Sequence, residues 1–292
     1  MYISEAFDTY RDEVILFNGQ SSRTLEMHEN VRRLVLDYLG DYEVKDLTLN
    51  HIAKWRSSIS RGRSQNTVRG YVLKLRMVIR HLNLKGLPAV NYELIGIPKR
   101  QNKIVSFLEP HEIDTLIDRV FVAHAGYPTL NRYRNRAIVA LLAASGIRVS
   151  ELCSMDRTSI KSDGTFSILG KGNKARICFT DSRARQFIDE YLARRTDSQK
   201  ALFVGEKSDK RVNKDTIDTI FRYATRKCGF SIPVTPHTIR HSFATDMLRH
   251  NTNLIYVQRF LGHESIQTTQ MYTHVVDEDL RAIYREKHMI DT

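Results

Sequence analysis

Apolar residues recur at helical spacing through most of this chain and alternate in the manner of strands in only one short region. Over residues 24–39, Leu25, Val31, Leu34, Val35 and Tyr38 fall near one face of a helix. Over residues 67–82, Val68, Tyr71, Val72, Leu75, Val78, Ile79 and Leu82 form a continuous apolar stripe, with Arg69, Lys74, Arg76 and Arg80 largely off it. Together with helical patterns over 5–17 and 49–59, these predict a small domain of four short helices.

The helical pattern lapses over 87–106, which holds Pro88, Gly96, Pro98 and the polar run Lys99-Arg100-Gln101-Asn102-Lys103. Such a stretch reads as a linker. Residues 1–97 are therefore expected to form one domain, 98–106 to join it to the next, and 107–292 to form the second. Beyond the linker, helices are predicted over 109–120, 133–144, 182–194, 214–228, 236–249 and 253–261. Two strands, 165–169 and 175–179, flank Gly170-Lys171-Gly172-Asn173-Lys174, a hairpin turn. The fold class is mainly α with a small antiparallel β-sheet, in a two-domain architecture. No internal repeat or low-complexity tract interrupts it.

With 292 residues and 41% hydrophobic content, the chain can fill a core in each of two domains. Its longest apolar run, near 137–144, is far short of the roughly 20 residues that cross a bilayer. The start Met1-Tyr2-Ile3-Ser4-Glu5 lacks the basic-then-apolar order of a signal peptide. A cytoplasmic protein without a membrane partner is expected. Three cysteines, Cys153, Cys178 and Cys228, stand far apart with no C-x-x-C pair, so they predict buried thiols rather than disulfides or a zinc site. Neither a metal nor a cofactor is expected.

Charge changes the picture more. The formal net charge is +12, which favours a polyanionic partner. Between Asp46 and Glu93 there is no acidic residue, while Lys54, Arg56, Arg61, Arg63, Arg69, Lys74, Arg76, Arg80 and Lys85 all lie inside. Solvated charged faces usually mix signs, so the first eight of these are candidate DNA contacts.

The candidate chemistry lies in the second domain. In Thr235-Pro236-His237-Thr238-Ile239-Arg240-His241, Thr235 can cap a helix that begins at Pro236. His237 and Arg240, three apart, then share a face within its first turns, where free N–H groups also favour an anion. Leu261-Gly262-His263 ends a helix on a glycine suited to the left-handed cap, and Ser265 can cap a further helix carrying Tyr272. Upstream, Ala144-Ser145-Gly146-Ile147-Arg148-Val149-Ser150-Glu151-Leu152 breaks an apolar helix at Gly146 and starts another, holding Arg148 at a junction between rigid elements as a second phosphate clamp.

Each feature alone is common. In order, however, Gly146 to Leu152, Gly170 to Lys174, His237 to Thr245, Leu261-Gly262-His263 and Met271-Tyr272-Thr273-His274 closely resemble the tyrosine recombinase, or phage integrase, family, in its compact Xer-like form. The resemblance spans nearly the whole chain, with Ser145 where Thr is common as a small departure. It implies that Tyr272 attacks a DNA phosphate to form a 3′-phosphotyrosyl link, conserving bond energy so that religation needs neither ATP nor metal. His237 would assist proton transfer from a phenol whose pKa is near 10. Arg148 and Arg240 would stabilise charge on the phosphorane-like transition state, Lys171 would protonate the leaving 5′ oxygen with Lys174 as runner-up, and His263 would hydrogen-bond the phosphate. Glu151 would orient its neighbours.

The resemblance further implies a homo-tetramer on two double-stranded DNA sites, strand exchange through a Holliday junction, and a role in integration and excision, replicon dimer resolution or inversion. A second recombinase or an accessory protein would fit that scheme. The segment Leu280-Arg281-Ala282-Ile283-Tyr284-Arg285 reads as an amphipathic helix that docks either on a neighbouring subunit or on its own domain. Two other readings differ in kind: a DNA-binding regulator without cleavage, which would lack catalytic groups, and a nicking-closing enzyme of the type IB topoisomerase kind.

Overall fold

The structure is a computed structural model that describes residues 1–101, 106–123, 129–170, 175–205 and 210–262. The chain divides into two compact units, Met1–Lys103 and Ile104–Thr292.

In the first unit, α1 (Ile3–Tyr10) runs into a π-helical turn, Arg11–Leu16, and is followed by α2 (Ser22–Leu39), α3 (Leu49–Ile59) and α4 (Gln65–Leu84). Ser21, Thr48 and Ser64 cap the last three, each side chain accepting from a main-chain N–H three residues on. Trp55, Phe7, Val31, Val35, Val72 and Leu82 close the core. Trp55 satisfies its indole N–H on the Leu34 carbonyl at 3.1 Å.

Part of the segment expected as a linker lies along α4. Arg69 donates to the Pro98 carbonyl at 2.6 Å, Gln65 to that of Lys99 at 3.0 Å, and Asn66 exchanges two bonds with the main chain of Gln101.

The second unit contains, among the described residues, α5 (Pro110–Ala123), α6 (Thr129–Ser145), α7 (Val149–Ser154), β1 (Thr165–Leu169), β2 (Ala175–Phe179), α8 (Ser182–Leu192), α9 (Lys214–Cys228), α10 (Pro236–Arg249) and α11 (Leu254–Leu261). The strands pair antiparallel with Phe166 opposite Cys178 and Ile168 opposite Arg176. Phe166, Ile168 and Cys178 turn inward, while Leu169, Ile177 and Phe179 are exposed. Helix α6 is the axis of this unit: Ala137, Ile138, Val139 and Leu141 in its C-terminal half are wholly buried, as a stretch apolar on all sides must be. It packs between α5, α8 and α10.

Helix α6 stops at Gly146, whose φ of +60° is left-handed. A Cβ there would lie 2.5 Å from the Phe243 ring of α10, so both backbone angle and space demand glycine. Cys178 is buried and Cys153 half-buried, and burial pushes the Cys153 thiol up to about 11. No helix among the described residues is long and apolar enough to cross a membrane.

Candidate active site

Three arginines and one carboxylate, drawn from α7, β2 and α10, meet at the C-terminal end of α11. Arg148 is the N-cap residue of α7, and its extended backbone follows directly from the glycine break. Its Nη2 donates to the Gly262 carbonyl at 2.9 Å. Arg240, on the second turn of α10, donates from Nη1 to the Gly146 carbonyl at 2.6 Å and from Nη2 to that of Leu261 at 2.5 Å. Arg176, on β2, donates from Nε to the Phe260 carbonyl at 3.0 Å. Three successive carbonyls, 260, 261 and 262, thus each receive one guanidinium. A helix C-terminus carries unsatisfied acceptors and partial negative charge, so cations belong there.

Glu151 ties two of these arginines together from within. Its carboxylate accepts from the Arg148 main-chain N–H at 2.7 Å and from Arg148 Nη1 at 2.9 Å. It also accepts from Arg176 Nη1 at 2.8 Å and Nη2 at 2.7 Å. Burial pushes the Glu151 carboxyl up, but the bonds from Arg176 and Arg148 outweigh it and hold the group below the usual carboxylate range. It is charged at neutral pH.

Helix α10 begins as the sequence predicts: Thr235 accepts from the Thr238 N–H at 3.1 Å and Pro236 opens the first turn. His237 stands on that turn, at the surface but flanked by protein. Partial desolvation lowers its pKa, and the charges of Arg240, Lys214 and Arg148 press it down further while Asp218 pulls the other way. The neutral imidazole is therefore favoured, the form that can accept a proton. His241, one residue after Arg240, is lowered to about 4 by burial first and then by His237 and Arg240.

Beside His237 opens a cleft of about 490 Å³, walled by Val149, Phe221 and Val234 and rimmed by Lys214, Arg222 and Arg226. Gly262 closes α11 in the left-handed conformation, with φ of +63°. A Cβ there would come within 3.0 Å of the Arg176 side chain, so the glycine also admits the arginine.

Of the expected site residues, Arg148, His237 and Arg240 are brought together here. Lys171, His263 and Tyr272 lie outside the described residues, as do Lys174 and the segment 280–285. Arg176 is a site residue that sequence reasoning missed. Its signal was faint: it shares a strand face with the inward Cys178, two residues on, so an alternating reading of β2 places an arginine on the buried side.

The basic stretch of the first unit is more varied than its sequence suggests. Lys54 and Arg56 are exposed on α3, and Arg61 and Arg63 on the turn after it. Arg69 and Arg76 are hydrogen-bonded to the carbonyls of Pro98 and Tyr92, and Arg76 and Arg80 both lie over the Tyr92 ring. Lys74 departs from the expectation of a DNA contact. It is 8% exposed, with Nζ 5.5 Å from the centre of the Tyr10 ring, on the inner side of α4. Burial lowers its pKa.

Paired guanidiniums with a neutral histidine beside them make a cationic class of site, with the geometry to receive an anion. Comparison with known proteins gives that class its family. The pattern of the phage integrase family matches residues 106–279. Tyrosine recombinase XerA of Thermococcus kodakarensis is 32% identical over 297 residues, covering 99% of this chain and 96% of that protein. Tyrosine recombinase XerD of Oceanobacillus iheyensis is 30% identical over 290 residues, covering 92% and 93%. Among solved structures, a XerA recombinase superposes with a TM-score of 0.54 at 25% identity, covering 98% of each chain. The Tn1549 transposon integrase in complex with transposon right end DNA has the same fold, with a TM-score of 0.82 at 14% identity over 98% of this chain and 99% of that one. The chain belongs to the phage integrase family. It is a tyrosine recombinase, an enzyme of site-specific DNA strand breakage and rejoining.

Proposed function

We propose that Tyr272 is the nucleophile of this recombinase and that Arg148, Lys171, His237, Arg240 and His263 complete its catalytic set. The convergence of Arg148 and Arg240 on adjoining carbonyls of one helix end, with His237 beside them, carries the reading. Two guanidiniums held by main chain are preorganised donors for charge that builds on a phosphorane-like transition state. A neutral His237 receives the phenolic proton as Tyr272 bonds to phosphorus. Lys171, which follows β1 in the sequence, gives a proton to the departing 5′ oxygen, and the 3′-phosphotyrosyl ester keeps the energy of the broken bond for religation.

Four copies act on two double-stranded sites and exchange strands through a Holliday junction, in integration and excision, replicon dimer resolution or inversion. A second recombinase or an accessory protein joins them where the site requires it. The protein works in the cytoplasm, associated with the nucleoid if its host is bacterial or archaeal. Exposed Lys54, Arg56, Arg61 and Arg63 contribute phosphate contacts from the first unit, whose boundary with the second lies in 98–106.

The test is a nicked suicide duplex drawn from the gene's own neighbourhood, incubated with EDTA and resolved in SDS. A covalent adduct with wild type and none with Tyr272→Phe is the expected result. Adduct from both would reassign the nucleophile, and tight binding with no adduct from either would favour a DNA-binding regulator.

A further inference from the structure

An arginine that faces an anionic substrate loses much of its pull if a carboxylate neutralises it from behind. Arg148 has such a carboxylate, the Oε1 of Glu151 at 2.9 Å, only 7% exposed and so little screened by water. Arg176 is the counterweight. It grips both oxygens of Glu151, at 2.8 and 2.7 Å, with a side chain 11% exposed, and is itself fixed on the Phe260 carbonyl at 3.0 Å. Arg148, Glu151 and Arg176 together carry one net positive charge, and Arg240 adds a second. The carboxylate can then orient Arg148 through its main-chain N–H and its Nη1 without cancelling it.

We propose that Arg176 is a positioning residue of the recombination reaction: by holding Glu151 through both oxygens, it leaves Arg148 oriented yet electrically available to the scissile phosphate. The role rests on the reading of Arg148 and Arg240 as the phosphate grip. It differs from simple stapling of β2 to α11, because it makes the charge of Glu151 the thing that Arg176 controls. Without Arg176, the carboxylate would turn wholly onto Arg148 and draw the charge of the site toward a single arginine's worth.

The geometry implies a suppression pattern that stapling does not. Arg176→Gln, in the full chain, is expected to keep its affinity for a cognate duplex while the single-turnover rate of adduct formation falls by about 100-fold, the scale of a misplaced catalytic group. Arg176→Lys keeps the cation but offers a single point of contact, and falls between the two. Adding Glu151→Gln to Arg176→Gln removes the charge that Arg176 restrained, and the double variant is expected to react about tenfold faster than Arg176→Gln alone. Far-ultraviolet circular dichroism and thermal midpoints of all variants report folding separately. Wild-type rates in Arg176→Gln, or a double variant no faster than the single one, would overturn the proposal. Absence of any adduct with wild type would instead overturn the reading on which it rests.

Discussion

Arg240 donates to the carbonyl of Gly146 at 2.6 Å, joining a cation near the start of α10 to a left-handed glycine 94 positions earlier. The bond fixes the guanidinium against the same turn from which Arg148 departs, so the two cations share a mounting. Lysine at position 240 would keep the charge but could not serve Gly146, Leu261 and a phosphate in one plane. Arg240→Lys should therefore bind DNA at close to wild-type affinity and form adduct about 100- to 1,000-fold more slowly, as measured by gel shift and single-turnover cleavage.

Gly146 carries two independent penalties for any side chain. A Cβ would sit 2.5 Å from the Phe243 ring at a φ of +60°. Left-handed strain of about 1–2 kcal/mol and overpacking of about 1–3 kcal/mol should add, so Gly146→Ala is expected to lose about 3 kcal/mol of stability in urea unfolding. Shortening Phe243 to Leu in the same chain should recover the packing part and leave the backbone part.

His241 gives the stability of the second unit a direction in pH. Its folded pKa is about 4, below the ordinary value of 6.5, so the unfolded chain binds its proton first as pH falls. Nothing is gained or lost above pH 6.5 from this residue. Stability falls as the pH drops from about 6.5 toward 4, by about 3 kcal/mol at most. Denaturant midpoints between pH 7.5 and 4.5 should show this slope, and His241→Gln, if folded, should flatten it. An equal slope in the variant would assign the effect elsewhere.

The basic residues of the first unit should separate by salt dependence. Exposed Arg61→Ala and Arg63→Ala are each expected to weaken DNA binding and to lower the slope of log affinity against log salt by about 1. Lys74→Met should leave that slope unchanged, because its ammonium faces Tyr10 rather than solvent.

Several elements were legible because a single local rule specified each. Thr235-Pro236 set the start of α10 and Gly262 the end of α11, and the two short strands 165–169 and 175–179 pair as their pattern predicts. The stripe of α4 was read correctly from Val68 to Leu82, yet Lys74 lies inside it. The reason is that a long aliphatic stem over the Tyr10 ring can fill a core position that a charge count assigns to solvent. Arg176 was hidden for a different reason. Its partners, Glu151 and Phe260, lie 25 and 84 residues away, and no periodicity within one five-residue strand encodes a meeting at that range.

The triple grip on α11 is made with main-chain oxygens, not with the side chains of Phe260 and Leu261. Such a fastening takes no bond from the side chains of residues 260 and 261, and Leu261 is held instead by its place in the core beside Leu248 and Val257. Position 262 is constrained by the backbone itself, since its φ of +63° is left-handed and a Cβ there would press on the Arg176 side chain at 3.0 Å.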